Sequence, residues 1–213
     1  RMNRAIEMLN SSEVINVDYG MVNDQPFFST CGVGFDAVVA EKFSDTNRGL
    51  KGYVQTIFKD LFQYKPETYH LTGDGIDQTT TPFLVSFANA GQWGYDAYIA
   101  PKASVQDGWL DVAIVSEFPM TAAAGLALSL FTKNIDEKLH MNTIRAKELT
   151  LKRESEGPMH IDGTPITMPA ELHVKIVEDG LKVLVNTLTS GMDIINNFTG
   201  LVGGIPAVLS ASV

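Results

Sequence analysis

The sequence predicts a mainly β, antiparallel fold with a few flanking helices, and three observations carry that expectation. From Arg145 onward, short strand-like runs follow one another with only tight turns between them. Strands joined without an intervening helix cannot form parallel crossover units, so they must pair antiparallel. Four Asp–Gly pairs, at Asp74, Asp107, Asp162 and Asp179, punctuate the chain, and both residue types tolerate the positive φ that a two-residue hairpin needs. The 45% hydrophobic share of 213 residues is enough to bury a sizeable core in one domain.

The elements follow in order. Met2, Ile6 and Leu9 stand at helical spacing, so a short linking helix opens the chain. Val14–Tyr19 and Pro26–Thr30 flank Asn23–Asp24 and read as a hairpin. Asp36–Phe43 reads as helical, and Leu50–Phe62 does so more strongly, with Val54, Ile57, Phe58, Leu61 and Phe62 on one face. Strands are expected at Thr68–Thr72, Pro82–Ala88 and Leu110–Val115. Met120–Phe131 is an apolar helix, read as packed on a sheet, with contact to a lipid surface as the alternative. Glu148–Arg153, Met159–Ile161, Glu171–Glu178 and Leu181–Asn186 complete the strands, the last two separated by a turn at Asp179–Gly180. From Thr187 the text becomes apolar and rich in glycine, so residues 1–186 read as one β-rich lobe and 187–213 as a tail.

Charge and cysteine content narrow the function. A net charge of −9 argues against nucleic acid, because phosphate binding needs clustered positive charge. Arg145, Lys147, Lys152 and Arg153 are the one basic cluster, read as a solvated strand face with a lipid-facing patch as the alternative. Cys31 is alone and the four histidines lack ligand spacing, so neither a disulfide framework nor a zinc site is expected, and a reducing cytoplasmic setting fits. No apolar run is long enough to span a bilayer.

Candidate chemistry is sparse at the level of residues. Gly32-Val-Gly-Phe-Asp-Ala37 fits the dinucleotide fingerprint locally, but a hairpin precedes it and no strand-end acid follows, so it does not read as a Rossmann site. Asp162 stands between His160 and Thr164–Pro165 in a crowded turn that could aim a carboxylate into a cleft. Trp93, Tyr95 and Tyr98 could wall an apolar pocket or cap the core.

Taken in order, four blocks resemble the diacylglycerol kinase catalytic family, which includes sphingosine and ceramide kinases. They are Phe27-Phe-Ser-Thr-Cys-Gly-Val-Gly-Phe-Asp-Ala37, Phe87-Ala-Asn-Ala-Gly-Gln-Trp-Gly94 with Ile99–Ala103, Gln106-Asp-Gly-Trp-Leu-Asp-Val112, and Met159-His-Ile-Asp-Gly-Thr164. The resemblance implies an antiparallel β-sandwich lobe, similar to the C-terminal domain of NAD kinases and diacylglycerol kinases. It further implies that an ATP-binding lobe with a GGDGT motif belongs before Arg1. The implied activity is transfer of the ATP γ-phosphoryl group to a hydroxyl of diacylglycerol or a sphingoid-type lipid, with the isolated lobe inactive.

The family's proposed base corresponds to Asp162, and its partner glutamate corresponds to Thr164, which cannot supply a second negative charge. Asn89, Gly91, Trp93 and Gly94 correspond to the substrate loop, and Asp107 with the carbonyls of Ser104 and Trp109 to a structural Mg2+ site. The partners so implied are ATP, a lipid substrate at the membrane surface and a second copy in a homodimer. The implied location is cytoplasmic with peripheral membrane association. The rival readings are a non-catalytic lipid-binding or regulatory domain of the same fold and an NAD kinase-like enzyme.

Overall fold

The computed structural model describes residues 12–44, 61, 63–94 and 96–186. The expected opening helix, most of the helix at 50–62, Tyr95 and the tail lie outside the described residues. Strand β1 (Ser12–Val22) turns at Asn23–Asp24 into β2 (Gln25–Phe27), with Val22 opposite Gln25 and Asn23 at φ 50°. Strand β3 (Thr30–Gly34) runs directly into helix α1 (Phe35–Ser44). The hairpin β4 (Tyr69–Gly73) and β5 (Ile76–Thr80) closes at Asp74–Gly75, where both residues have positive φ. Then come β6 (Leu84–Ala88), the short pair β7 (Gln92–Gly94) and β8 (Ala97–Tyr98), and β9 (Leu110–Val115). Helix α2 (Met120–Phe131) precedes β10 (Met141–Ala146), β11 (Glu148–Lys152), β12 (Gly157–Ile161), β13 (Thr164–Met168) and β14 (Glu171–Asn186).

The large sheets are six-stranded, in the orders β2-β1-β14-β11-β4-β5 and β10-β9-β6-β3-β12-β13. Neighbouring strands pair antiparallel throughout. The sheets stack as a sandwich, because each presents an apolar face that must leave water. Tyr69, Leu71, Leu149, Leu151, Leu172 and Val174 from the first sheet meet Val33, Val85, Phe87, Val112, Ile114 and Met159 from the second in one buried cluster.

The second sheet is covered on its outer face as well. Phe35, Phe83, Leu84, Ala113, Val115 and Leu126 form a further buried cluster there. That explains why β3, β6 and β9 are buried at every position and show no alternation of polar and apolar residues. Helix α2 turns Ala123, Leu126 and Ser129 inward, while Leu128 and Phe131 stay exposed.

The expected strand at Pro26–Thr30 divides between β2 and β3, and five strands carry no mark in the sequence: β5, with its polar Asp-Gln-Thr-Thr, the short β7 and β8, β10, and β13, which contains Pro165. A proline is tolerated in β13 because that strand is the sheet's edge. The expected turn at Asp179–Gly180 is a correction: β14 continues through it for 16 residues as one strand. Opposite it, the register between β1 and β14 shifts between Val17 and Tyr19, leaving Asp18 across from Glu178–Gly180 as a bulge.

The basic cluster divides among separate contacts. Lys147 pairs with Glu178, Lys152 with Glu171, and Arg145 with Asp107. Arg153 is buried and donates to the carbonyls of Gly157, Pro158 and Met168, closing one corner of the sandwich.

Candidate functional site

Antiparallel order gathers the expected site residues at one end of the second sheet. Thr30 begins β3, Ala88 ends β6 and Asp111 stands near the start of β9, and these three are successive register partners. Asn89 follows Ala88, Trp109 precedes Leu110, and Asp162 caps β12, donating its N–H to Thr30 O at 2.8 Å.

The Asp162–Gly163 turn is a two-residue hairpin between Ile161 and Thr164, with φ of 47° and 78°. The strain that αL geometry imposes on an aspartate is met by hydrogen bonds. Its Oδ1 accepts the N–H groups of Ser29 at 2.7 Å and Thr30 at 3.1 Å, and its Oδ2 accepts that of Phe28 at 2.8 Å. Burial pushes the carboxyl pKa up, while these three donors pull it down; the net direction is upward. The carboxylate therefore both organises the Phe28–Thr30 turn and remains half-buried at its surface. Thr164, at the position of the family glutamate, is exposed.

Asn89 is fully buried. Its Nδ2 donates to Asp18 O at 3.0 Å and Phe28 O at 2.8 Å, and its backbone N–H reaches Ser29 O. It thus holds the same turn from the other side, and its contacts are with backbone. Gly91 lets the chain fold back on itself: its carbonyl accepts from Ile99 and Ala100, and a Cβ there would lie 2.4 Å from Ala100 O. Gly94 has φ of 141° and open space around it. Trp93 donates from Nε1 to Asp36 Oδ1 at 2.7 Å. Tyr98 is buried under the Lys133 ammonium, 4.1 Å from the ring centre.

Asp107 is committed within the protein. Its Oδ1 accepts the Trp109 N–H at 3.2 Å, and its Oδ2 pairs with the Arg145 guanidinium. Arg145 also approaches Asp111 and stands 5.4 Å from the Trp109 ring centre. Ser104 Oγ accepts the Gln106 N–H at 3.4 Å. A Mg2+ ion at Asp107 would have to displace Arg145, so the residues as arranged do not fit that ion. Among the described residues, no group of three or more His, Cys, Asp or Glu side chains is placed to hold a metal.

Asp18 is a further buried residue of this region, and Asp36 and His160 meet here in a pairing that their places in the sequence do not announce. Asp18 Oδ2 accepts the Gly108 N–H and its Oδ1 the Asp179 N–H, both at 2.8 Å, so one buried carboxylate shapes two of the four Asp–Gly segments. The sequence carries no signal of this, since an acidic residue next to inward Val17 reads as the outward face of a strand. Asp36 and His160 are both buried, with His160 Nε2 at 2.8 Å from Asp36 Oδ1 though outside hydrogen-bond alignment. Asp36 had been absorbed into the glycine fingerprint.

Comparison with known proteins agrees with the fold. Residues 29–185 match a family model described as the YegS C-terminal NAD kinase beta sandwich-like domain. A diacylglycerol kinase of Mycobacterium tuberculosis is 25% identical over 177 residues, covering 79% of this chain and 56% of that protein. An uncharacterized protein of Synechocystis sp. is 27% identical over 182 residues, covering 83% of this chain and 39% of that protein. The chain thus spans about half or less of the length of these relatives. Among solved structures, a diacylglycerol kinase from Bacillus anthracis str. Sterne superposes with a TM-score of 0.52 at 16% identity, over 83% of this chain and 56% of that one. At that identity the likeness is one of fold.

Proposed function

The chain belongs to the YegS C-terminal NAD kinase beta sandwich-like family, and on that premise we propose that it is the substrate-side lobe of an ATP-dependent lipid kinase, with Asp162 as general base. The supporting observation is the placement of Asp162. It is a carboxylate held by three backbone N–H groups at the sheet end that also carries the Asn89–Gly94 loop. In the transfer, the lipid hydroxyl oxygen forms a bond to the γ-phosphorus and the bond to the β-phosphate bridging oxygen breaks. The hydroxyl proton passes to Asp162, and ADP leaves.

Oδ2 is the oxygen suited to take the proton, because it accepts one backbone donor where Oδ1 accepts two. Burial raises the carboxyl's proton affinity and so favours this role. Asn89 and Gly91 shape the turn beside the base, while Trp93 and Gly94 line the approach of a hydroxyl of diacylglycerol or a sphingoid-type lipid. ATP is assigned in this reading to a preceding lobe of the whole protein, so the isolated chain is inactive. The Mg2+ assignment to Asp107, Ser104 and Trp109 is left out, because Arg145 occupies the carboxylate.

The same reading has the whole protein work in the cytoplasm at a membrane surface, as a homodimer. Exposed Leu128 and Phe131 on α2 support contact with lipid. No described helix is long and apolar enough to cross a membrane. A second reading, a non-catalytic lipid-binding domain, is favoured by Thr164, which leaves the site with a single carboxylate at this turn.

The test is phosphoryl transfer from labelled ATP to diacylglycerol or sphingosine in mixed micelles by the full-length protein. Asp162→Asn should lower kcat by about 10²–10⁴-fold. Unchanged turnover would refute the base, and lipid binding without phosphorylation by the wild type would establish the second reading.

A further inference from the structure

We infer that Trp93, Asp36 and His160 form a positioning relay that couples the loop carrying Asn89–Gly94 to the turn carrying Asp162. The inference rests on the reading of Asp162 as base for its catalytic consequence, and on geometry alone for the coupling. Trp93 Nε1 donates to Asp36 Oδ1 at 2.7 Å, and His160 Nε2 stands 2.8 Å from that same oxygen, a close contact outside hydrogen-bond alignment. At the other edge of the imidazole, Nδ1 accepts the Gly163 N–H at 3.2 Å. An accepting Nδ1 carries no proton, which leaves the ring proton at Nε2, on the side of Asp36. Gly163 is the second residue of the turn whose first residue is Asp162. The path therefore runs from the substrate loop, through the first turn of α1, to the end of β12 and the base.

Packing encloses this arrangement: Asp36 and His160 are 1% and 2% exposed. A buried acid–imidazole pair adds little stability over apolar contacts of the same volume, so stability alone does not account for it. Asp36 stands in the first turn of α1, at the positive end of the helix dipole. Room for it is made at Gly32, where a Cβ would lie 1.9 Å from Asp36 Oδ2. Asp36 Oδ2 itself has no partner, so both contacts of the carboxylate fall on Oδ1. Displacing Trp93 therefore changes the same oxygen that faces His160.

None of the three touches the reacting atoms in this reading. They are positioning residues, acting through Asp162. Trp93→Phe keeps an aromatic ring and removes only the N–H. In the full-length protein it should lower kcat about tenfold, beyond any effect on KM from its place along the lipid approach, since small misplacement of a reacting group costs up to ~10²-fold. A change confined to KM would overturn the catalytic part of the proposal.

The coupling is read separately, by nitrogen-15 NMR of this 213-residue chain. His160 should show a protonated Nε2 and an unprotonated Nδ1. The Gly163 amide resonance should move in both Trp93→Phe and Asp36→Asn, while the remote Asp77 amide stays in place. A protonated Nδ1, or a Gly163 resonance indifferent to both variants, would overturn the relay. If the wild-type full-length protein phosphorylates no lipid, the functional reading fails while the Gly163 result still decides the coupling.

Discussion

Asp18 Oδ1 accepts the Asp179 N–H at 2.8 Å, across the longest strand pair of the molecule. That bond converts an Asp–Gly turn signal into a bulge and lets β14 continue. The other oxygen of Asp18 holds Gly108, so the bulge and the Asp107 turn share one anchor. Gly180 is required beside it, since a Cβ there would fall 2.3 Å from the Tyr19 ring.

Asp18→Ala should therefore destabilise the chain by about 2–6 kcal/mol, the sum of two N–H groups left without acceptors at about 1–3 kcal/mol each. Urea denaturation measures this as a lowered midpoint, and hydrogen exchange should quicken at Gly108 and Asp179 together. Exchange that quickens at only one of them would show that the two turns are independent.

Asp162→Asn has a structural cost in addition to any catalytic one. The side-chain amide can still accept at one oxygen, but its NH2 must face either Phe28 N–H or the pair at Ser29 and Thr30. One lost bond to a charged acceptor and an unsatisfied donor amount to about 1–3 kcal/mol. Thermal melting of the variant checks this, and it must be measured before any loss of turnover is assigned to chemistry.

Arg145 substitutes for a cation at Asp107. Millimolar Mg2+ should leave the melting temperature of the wild-type chain unchanged, because the carboxylate is taken. Arg145→Ala should cost about 1 kcal/mol, as befits a half-exposed ion pair. That variant alone should gain stability from Mg2+, by about 2.7 kcal/mol at a concentration a hundredfold above Kd. A wild-type chain stabilised by Mg2+ would show instead that the ion displaces Arg145.

The pH dependence follows from groups whose folded pKa is raised. Burial lifts the carboxyls of Asp162 and Asp111, the latter against the opposing pull of Arg145. The folded state then holds protons that the unfolded chain releases near its own value of about 3.9. Their contribution is fully present below that pH and is lost as pH rises through the folded values. Tyr64, pushed up to about 12 by burial and then by Glu67, acts alike at the alkaline end. Stability should fall from about pH 10, the unfolded phenol's value, to the folded one. Urea titrations at graded pH measure both windows, and Tyr64→Phe should flatten the alkaline decline.

Local chemistry made much of the fold legible. Asn23–Asp24, Asp74–Gly75 and Asp162–Gly163 turn where their residue types say, because positive φ is a property of one or two residues. Leu110–Val115 and Met120–Phe131 form the elements expected over the same spans, since their apolar runs suit either a strand buried on both sides or an apolar helix. The four ordered blocks of the sequence meet at one sheet end. What a turn signal becomes when a distant carboxylate reaches it is a different matter, and Asp179 is the example. So are the burial of Arg153, the occupation of Asp107 by Arg145, and the meeting of Trp93, Asp36 and His160. Each depends on which strands become neighbours, and the free energy of a buried polar contact is set by partners far apart in the chain that only the closed sandwich brings within 3 Å or so.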